Sequence, residues 1–416
     1  MKILHCADLH IDSPLRGLDR YEGAPVEFMR STTRRAVDRL VEIAVEREVD
    51  AVTVGGDVFD GDWPDANTGL WWNQQLDRLV SEGIEVYIVH GNHDAQSVIT
   101  KRIPAPAGVE VFGSGAATTK VSENLPLAVH GRSYATKATV DDLAATYPIA
   151  VAGVVNVGLL HTSLDGREGH APYAPCTQVA LMSKGYALWA LGHVHTREHH
   201  VDGPVHILFP GNTQGRSIKE TGARGVSIIT TDETAILDVE HIDTDVARWC
   251  RIAIDIADVD SPDALVELAV ERISDERQRA GRPMAVRIEL AGAGTVHRYL
   301  TEGHGMIRTA LSARLNTNEP DVWLEKMTDA TRDTRASGAA HSDAVEAVRS
   351  LITRALEDPA LARELTELLP DLQSTVAGAL PRLSEHGAPV SLLTDDYLRQ
   401  QLPRAGDLLI AMLEGR

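Results

Sequence analysis

The chain has 416 residues, 43% of them hydrophobic, which suits two or three domains with sizeable cores. Its 60 acidic and 40 basic residues leave a net charge of −20, which excludes a simple basic nucleic-acid-binding domain but not a nuclease, because bound metals supply local positive charge. Cys6, Cys176 and Cys250 form neither a disulfide framework nor a paired zinc motif, no run reaches the ~18 apolar residues of a membrane helix, and the MKILHCADLH start is too short and too polar at Asp8 for a signal peptide. A soluble, cytoplasmic protein with no membrane partner is expected.

In chain order, residues 2 to 7 read as a short apolar strand. Ala36, Val37, Leu40, Val41, Ala44 and Val45 fall at helical spacing and predict a helix over 32–47. A buried strand follows over 50–54, ended by Gly55 and Gly56. A second helix is predicted over 70–80, with Trp71 and Trp72 packing it, and a third strand over 85–89. This βαβαβ order implies a parallel sheet with helices against it. Further strands are predicted over 155–160, 187–191, 205–209 and 225–230. Near Asp243 the pattern changes: strand 251–256, helix 262–277 and strand 284–290 form a small α/β module. Residues 330–341 (ATRDTRASGAAH) read as a linker, and 342–416 as helical. The expected class is α/β, divided as 1–243, 244–330 and 342–416.

Five short motifs each follow an apolar strand: Asp8-Leu9-His10, Gly56-Asp57, Gly91-Asn92-His93-Asp94, His161-Thr162 and Gly192-His193-Val194-His195. The carboxyl ends of parallel strands share one edge, where open α/β sheets bind ligands, so motifs far apart in sequence can converge. The residue types suit two divalent cations. Asp8 and His10 can reach one ion from an extended turn, Asp57 has two oxygens and can bridge, Asn92 offers a neutral oxygen, and His161, His193 and His195 add imidazoles. Oxygen and imidazole donors without thiolates suit manganese, iron or zinc better than magnesium alone. Two such ions ~3.5–4 Å apart can activate water and clamp a phosphate.

This ordered set, covering roughly residues 1 to 215, resembles the calcineurin-like metallophosphoesterases. The resemblance implies a layered metallophosphoesterase domain, with Asp8, His10, Asp57 and His195 on one metal and Asp57, Asn92, His161 and His193 on the other. It implies that His93 is no ligand but faces the phosphate and protonates the leaving oxygen, with Asp94 orienting it. Protein phosphatases of the superfamily carry Arg directly after the second Asp of GDxxD; here Gly61 follows Asp60, which argues against that branch. ADLHIDSPLRGL, GGDVFDGDW, HTSLDGREGHAPYAPCT and FPGNTQGR instead resemble the SbcD-type DNA-repair exonuclease subunit, especially its YhaO-like branch.

That narrower resemblance, weakening towards residue 330, implies a metal-dependent exonuclease acting at DNA ends, with the small α/β module as a cap. Two divalent ions, Mn²⁺ for preference, are the expected cofactors. Expected partners are DNA ends, an SbcC-like coiled-coil ATPase docked by the helical tail and, as one option, a second copy in a homodimer. GSGAATTK at 113–120 lacks the Gly before Lys of a phosphate-binding loop, so any ATP-driven step belongs to another chain. Two rival readings share the motifs: a cyclic-nucleotide phosphodiesterase, and a non-enzymatic metal-binding subunit of an ATPase. Outside the motifs, His5, His130, His206, His297 and His304 read as packing or surface residues, and His199 and His200 as a solvated turn. Cys6 reads as a buried strand residue and Cys176 as a loop thiol. Asp60 reads as indirect support for the metal shell. His170 and Tyr173 are candidates for the cleft, and Arg216 is a candidate phosphate contact or a surface residue.

Overall fold

The computed structural model describes residues 1–15, 18, 23–60, 66–96, 103–165, 174–303 and 305–334, with positions 350 and 354. The region expected to be helical over 342–416 lies outside the described residues apart from those two positions, and so do His170, Tyr173 and His304. The described chain divides into two compact units, the first comprising Met1–Leu15, Pro25–Cys250 and Arg277–Ala285.

The first unit is built on two six-stranded sheets, the layered arrangement expected, and the strands of the N-terminal βαβαβ run pair parallel. In the first sheet, β1 (Lys2–Cys6), β2 (Ala51–Val54), β3 (Glu85–Ile88) and β4 (Val109–Val111) run parallel. Two later strands, β11 (Gly225–Thr231) and β12 (Ile236–Asp243), join antiparallel beside β1. The second sheet has the order β5-β6-β7-β8-β10-β9. Its β6 (Leu127–Gly131), β7 (Val155–His161), β8 (Leu188–Gly192) and β10 (Val205–Phe209) are parallel, while β5 (Thr118–Val121) and β9 (Glu198–Asp202) pair antiparallel at the edges.

The two-residue period of a strand explains the layering. On β1, Ile3 faces a core shared with Val155, Val157 and Leu159 of β7 and Leu188 and Ala190 of β8. Leu4 and Cys6 face the other way, onto α1 (Val26–Glu46) and α2 (Ala66–Ser81). Trp189 and Leu191, alternate residues of β8, pack on the far side of the second sheet with Tyr147, Leu181 and Tyr186. Helix α1 starts six residues earlier than its apolar spacing predicts, because Met29, Thr32 and Thr33 extend the buried stripe by a turn, with the Thr32 hydroxyl satisfied by Met29 O at 2.7 Å. His199 and His200 lie on β9, not in a solvated turn, and His199 Nε2 is 3.0 Å from His206 Nδ1 on β10. Cys176 lies in the loop before the helix Gln178–Met182 and is buried.

The first unit runs past Asp243 because its next residues are tied back to it. Arg248 Nε donates to Asp245 Oδ2 at 2.9 Å, Arg282 Nη1 to Asp245 Oδ1 at 2.6 Å, and Trp249 Nε1 to Gly215 O at 3.0 Å. The second unit holds most of a three-stranded sheet, β13 (Arg248–Asp255), β14 (Met284–Ala291) and β15 (Val322–Asp329) in that order. Leu265, Ala269 and Ile273 of the helix Pro262–Ala280 and Leu311 and Leu315 of the helix Met306–Asn318 are buried with Ile288, Leu290 and Leu324. Buried Glu325 is neutralised by Arg287, whose Nε reaches Oε2 at 2.7 Å. Among the described residues no helix is long and apolar enough to cross a membrane.

Candidate metal centre

Five strands deliver the motifs to one place from both sheets: β1, β2 and β3 from the first, β7 and β8 from the second. The strand pairing continues into the loops, with Asp8 N donating to Gly56 O at 2.9 Å, His10 N to Asp57 O at 3.1 Å and Ile11 N to Val58 O at 2.9 Å. The sheets meet here through glycine backbone: a Cβ on Gly192 would lie 2.1 Å from Gly55 O, so no larger residue fits. Four of the seven candidate ligands hold the left-handed backbone that non-glycine residues avoid: Asp8 (φ 53°), His10 (43°), Asp57 (51°) and His193 (100°). Such strain persists where surrounding structure over-determines it, and it clusters at functional sites.

The structure brings all seven candidates together. His10 Nε2 is 3.2 Å from His195 Nε2, which is 3.7 Å from Asp8 Oδ1. His161 Nε2 is 3.0 Å from Asn92 Oδ1 and 3.5 Å from Asp57 Oδ2. The His193 ring lies 5.2 Å from that of His161, and the His193 N–H donates to Asp8 Oδ2 at 3.0 Å. Asp8, His10 and His195 form one group whose ligand atoms lie within 4.8 Å of one another, and Asp8, Asp57 and His161 form another.

Hydrogen bonds fix the tautomers. His161 Nδ1 lies 2.8 Å from Gly55 O, which can only accept, so the lone pair sits on the inward Nε2. His195 Nδ1 lies 2.8 Å from Glu220 Oε1, with the same consequence. Burial holds His161 at about 4 and His10 well below its usual value, so both rings are neutral. Burial, and then the Asp57 charge, push Asp8 far above the carboxylate range, while burial and then the Asp94 charge raise Asp57. Two buried carboxylates that the protein leaves so poorly compensated, facing neutral imidazole lone pairs, are the donor set for divalent cations.

Asp94 does not orient His93. Its carboxylate is spent on backbone, accepting from Phe59 N at 3.0 Å and Gly91 N at 3.1 Å, which staples the β2 loop to the β3 loop. The carboxylate beside His93 is Asp60, with Oδ1 3.4 Å from His93 Nδ1. Asp60 also lies 3.6 Å from His10 Nδ1 and accepts from Ser13 Oγ at 2.8 Å. A neighbouring position in sequence does not bring Asp94 to the imidazole, because its side chain turns back from the short helix Asn92–Gln96 towards the N–H groups of Gly91 and Phe59. Arg216 lies in the centre rather than on the surface, its Nη1 3.8 Å from Asp60 Oδ2. The sequence reading passed over Glu220, which pairs with both His195 and Arg216; the four-residue Arg216–Glu220 spacing is the signal that could have found it.

Residues 1–197 match the calcineurin-like phosphoesterase family, and residues 249–332 match the middle domain of metallophosphoesterase YhaO. The chain is 31% identical over 341 residues to the uncharacterized metallophosphoesterase YhaO of Bacillus subtilis, covering 80% of this chain and 82% of that one. The chain belongs to the YhaO-type metallophosphoesterases. It is more distantly similar to the DNA double-strand break repair protein Mre11 of Methanopyrus kandleri, 24% identical over 323 residues (71% of this chain, 65% of that one). The Mre11 of Sulfolobus acidocaldarius is 23% identical over 308 residues (70% and 75%). Membership of this metallophosphoesterase family makes the chain a phosphoester hydrolase, and the family typically binds two divalent metals, in keeping with the donor set at the strand ends.

Proposed function

We propose that this chain is a Mn²⁺-dependent phosphodiesterase acting at DNA ends, the nuclease subunit of an SbcC-like ATPase complex in DNA repair. Asp8, His10, Asp57 and His195 would hold one cation, and Asp57, Asn92, His161 and His193 the other. Bound there, the two cations supply Lewis-acid activation of water and neutralise phosphate charge. The chain's own residues supply the rest. His93 is half-buried, with Nδ1 beside Asp60, which leaves Nε2 to carry a proton to the departing sugar oxygen. Asp60 orients that imidazole through Nδ1. Asp57 Oδ1 accepts from the His93 N–H at 2.9 Å and so ties the acid to the metal shell.

The observation that carries the reading is the assembly of seven ligand-type side chains around a separate, partly open imidazole. DNA as substrate is supported by the two Mre11 relatives, whose similarity extends beyond the 197 residues of the phosphoesterase match. The test is to incubate the full chain and Mn²⁺ with end-labelled duplex, with and without an SbcC-type ATPase. Modest end degradation is expected from the chain alone, because its net charge of −20 repels DNA, and more with the ATPase. Binding should weaken steeply with salt as neutralised phosphates release counterions. Removing residues 342–416 should abolish the stimulation but spare hydrolysis of bis-p-nitrophenyl phosphate, since no candidate ligand lies there. Rapid cleavage of cyclic nucleotides with no action on DNA, even beside the ATPase, would replace this reading with the small-molecule one.

A further inference from the structure

Glu220 lies four residues beyond FPGNTQGR, outside every motif, yet it is the most heavily used carboxylate near the centre. Its Oε1 accepts from His195 Nδ1 at 2.8 Å and from Arg216 Nη2 at 2.9 Å. Its Oε2 accepts from the Arg216 backbone N–H at 2.7 Å and from Asn212 Nδ2 at 3.0 Å. Arg216 Nη2 also lies 3.3 Å from His195 Nδ1, but both are donors converging on Oε1, so that approach is a by-product of the shared acceptor. Burial alone would raise Glu220; the His195 hydrogen bond and the Arg216 charge outweigh it and hold the group well below the carboxylate range. Glu220 is therefore a permanent anion, and its four close donors leave it little freedom.

This arrangement has two consequences. A carboxylate on Nδ1 fixes the His195 ring and makes Nε2 a better donor to a cation, as outer carboxylates do for metal-bound histidines. The same carboxylate fixes Arg216, whose remaining nitrogen, Nη1, stands 3.8 Å from Asp60 Oδ2, beyond hydrogen-bond reach. Asp60 presents Oδ1 to His93 and Oδ2 to Arg216, so the guanidinium sits beside the same carboxylate as the proton donor for the leaving group. Among the described residues Nη1 is engaged only in the long ion pair with Asp60, and a guanidinium held in one orientation in this way suits a phosphate oxygen.

We propose that Glu220 is a positioning residue with two tasks, holding His195 towards one cation and holding Arg216 so that its Nη1 binds a non-bridging phosphate oxygen. The proposal rests on the two-metal phosphodiesterase reading, so its test includes an arm that needs no substrate. Mn²⁺ affinity is measured by equilibrium dialysis, and kcat and KM with bis-p-nitrophenyl phosphate at saturating Mn²⁺. Glu220→Ala should weaken Mn²⁺ binding by about 10–100-fold. Glu220→Gln can still accept from His195 through its amide oxygen but turns an NH₂ towards the Arg216 and Asn212 donors. It should weaken Mn²⁺ binding less than Glu220→Ala does, because the ring is still held but the charge is gone, and should lose more in kcat/KM than in Mn²⁺ affinity. Arg216→Ala should keep Mn²⁺ and lose about 10²–10³-fold in kcat/KM, and Arg216→Lys should restore little. Unchanged Mn²⁺ affinity in Glu220→Ala, equal effects of Glu220→Gln on metal and turnover, or full kcat/KM in Arg216→Ala would each overturn the assignment. Absence of Mn²⁺-dependent hydrolysis by the wild-type chain would instead count against the phosphodiesterase reading, while the dialysis arm would still decide the role of Glu220 towards His195.

Discussion

Gly91 shows how little space the centre leaves. Its backbone has no positive φ, so conformation does not require glycine there. A Cβ at this position would lie 2.3 Å from Asp57 Oδ1 and 2.8 Å from both Nδ1 and Cε1 of His161. Ordinary contacts run at about 3.5 Å, so Gly91→Ala must push the Asp57 carboxylate back by about 1 Å, or turn His161 off Gly55 O. Overpacking of this kind costs about 1–3 kcal/mol of stability, and a misplacement of about 1 Å can cost on the order of 10²-fold in rate. Gly83→Ala is the matched control. It forces alanine into a φ of +77° with nothing within 4 Å of the added methyl, so it should cost about 1 kcal/mol and leave turnover alone. The assay pairs urea unfolding with Mn²⁺-dependent hydrolysis of bis-p-nitrophenyl phosphate and with metal content after dialysis. If Gly91→Ala turned over as fast as Gly83→Ala, the reasoning from space would be refuted.

His93→Gln should retain metal after dialysis while turnover falls by about 10²–10⁴-fold, as expected for loss of a general acid; loss of metal would make His93 a ligand instead. Asp57→Asn should lower metal content and turnover together, because Asp57 is proposed to bridge both cations, and wild-type values for both would sink the bridging assignment. Buried His5 links the sheets, with Nε2 3.0 Å from Leu191 O on β8 and Nδ1 3.0 Å from Thr53 Oγ1 on β2, and burial holds its pKa at about 4. Below the unfolded value of about 6.5 the unfolded chain gains a proton that the folded chain refuses. The contribution of neutral His5 is therefore complete above about 6.5 and shrinks by up to ~1.4 kcal/mol per unit as pH falls towards 4. Denaturant titrations at stepped pH should show a shallower slope across that window in His5→Gln; an unchanged slope would mean that His5 is not the titrating group.

Much of the site was legible in the sequence because ligand chemistry leaves a local trace: a strand, then a turn, then an Asp, Asn or His. Asp8, His10, Asp57, Asn92, His161, His193 and His195 each follow an apolar run, and strand-end geometry brings them into one region. The β1 to β3 elements were readable for the same reason, since their apolar patterns are short-range. Strands β7, β8, β10 and β11 were readable as strands too, but their pairing into a second sheet and antiparallel beside β1, the strand β12 and the placement of His199 on an edge strand were not. They depend on hydrogen bonds between segments tens to hundreds of residues apart, which no local pattern encodes. Sequence adjacency misassigned Asp94, whose carboxylate caps backbone donors, while Asp60, 33 positions before His93, reaches the imidazole across the β2 and β3 loops. Glu220 and Arg216 were invisible as a pair with His195 because the contact spans 25 residues and exists only once the chain after β10 folds back on the β8 loop. The sequence by itself determined which residues could bind metal and that strand ends would present them. Only the tertiary structure decided which carboxylate faces which imidazole, because hydrogen bonding is set by angstrom-scale distances that chain order does not specify.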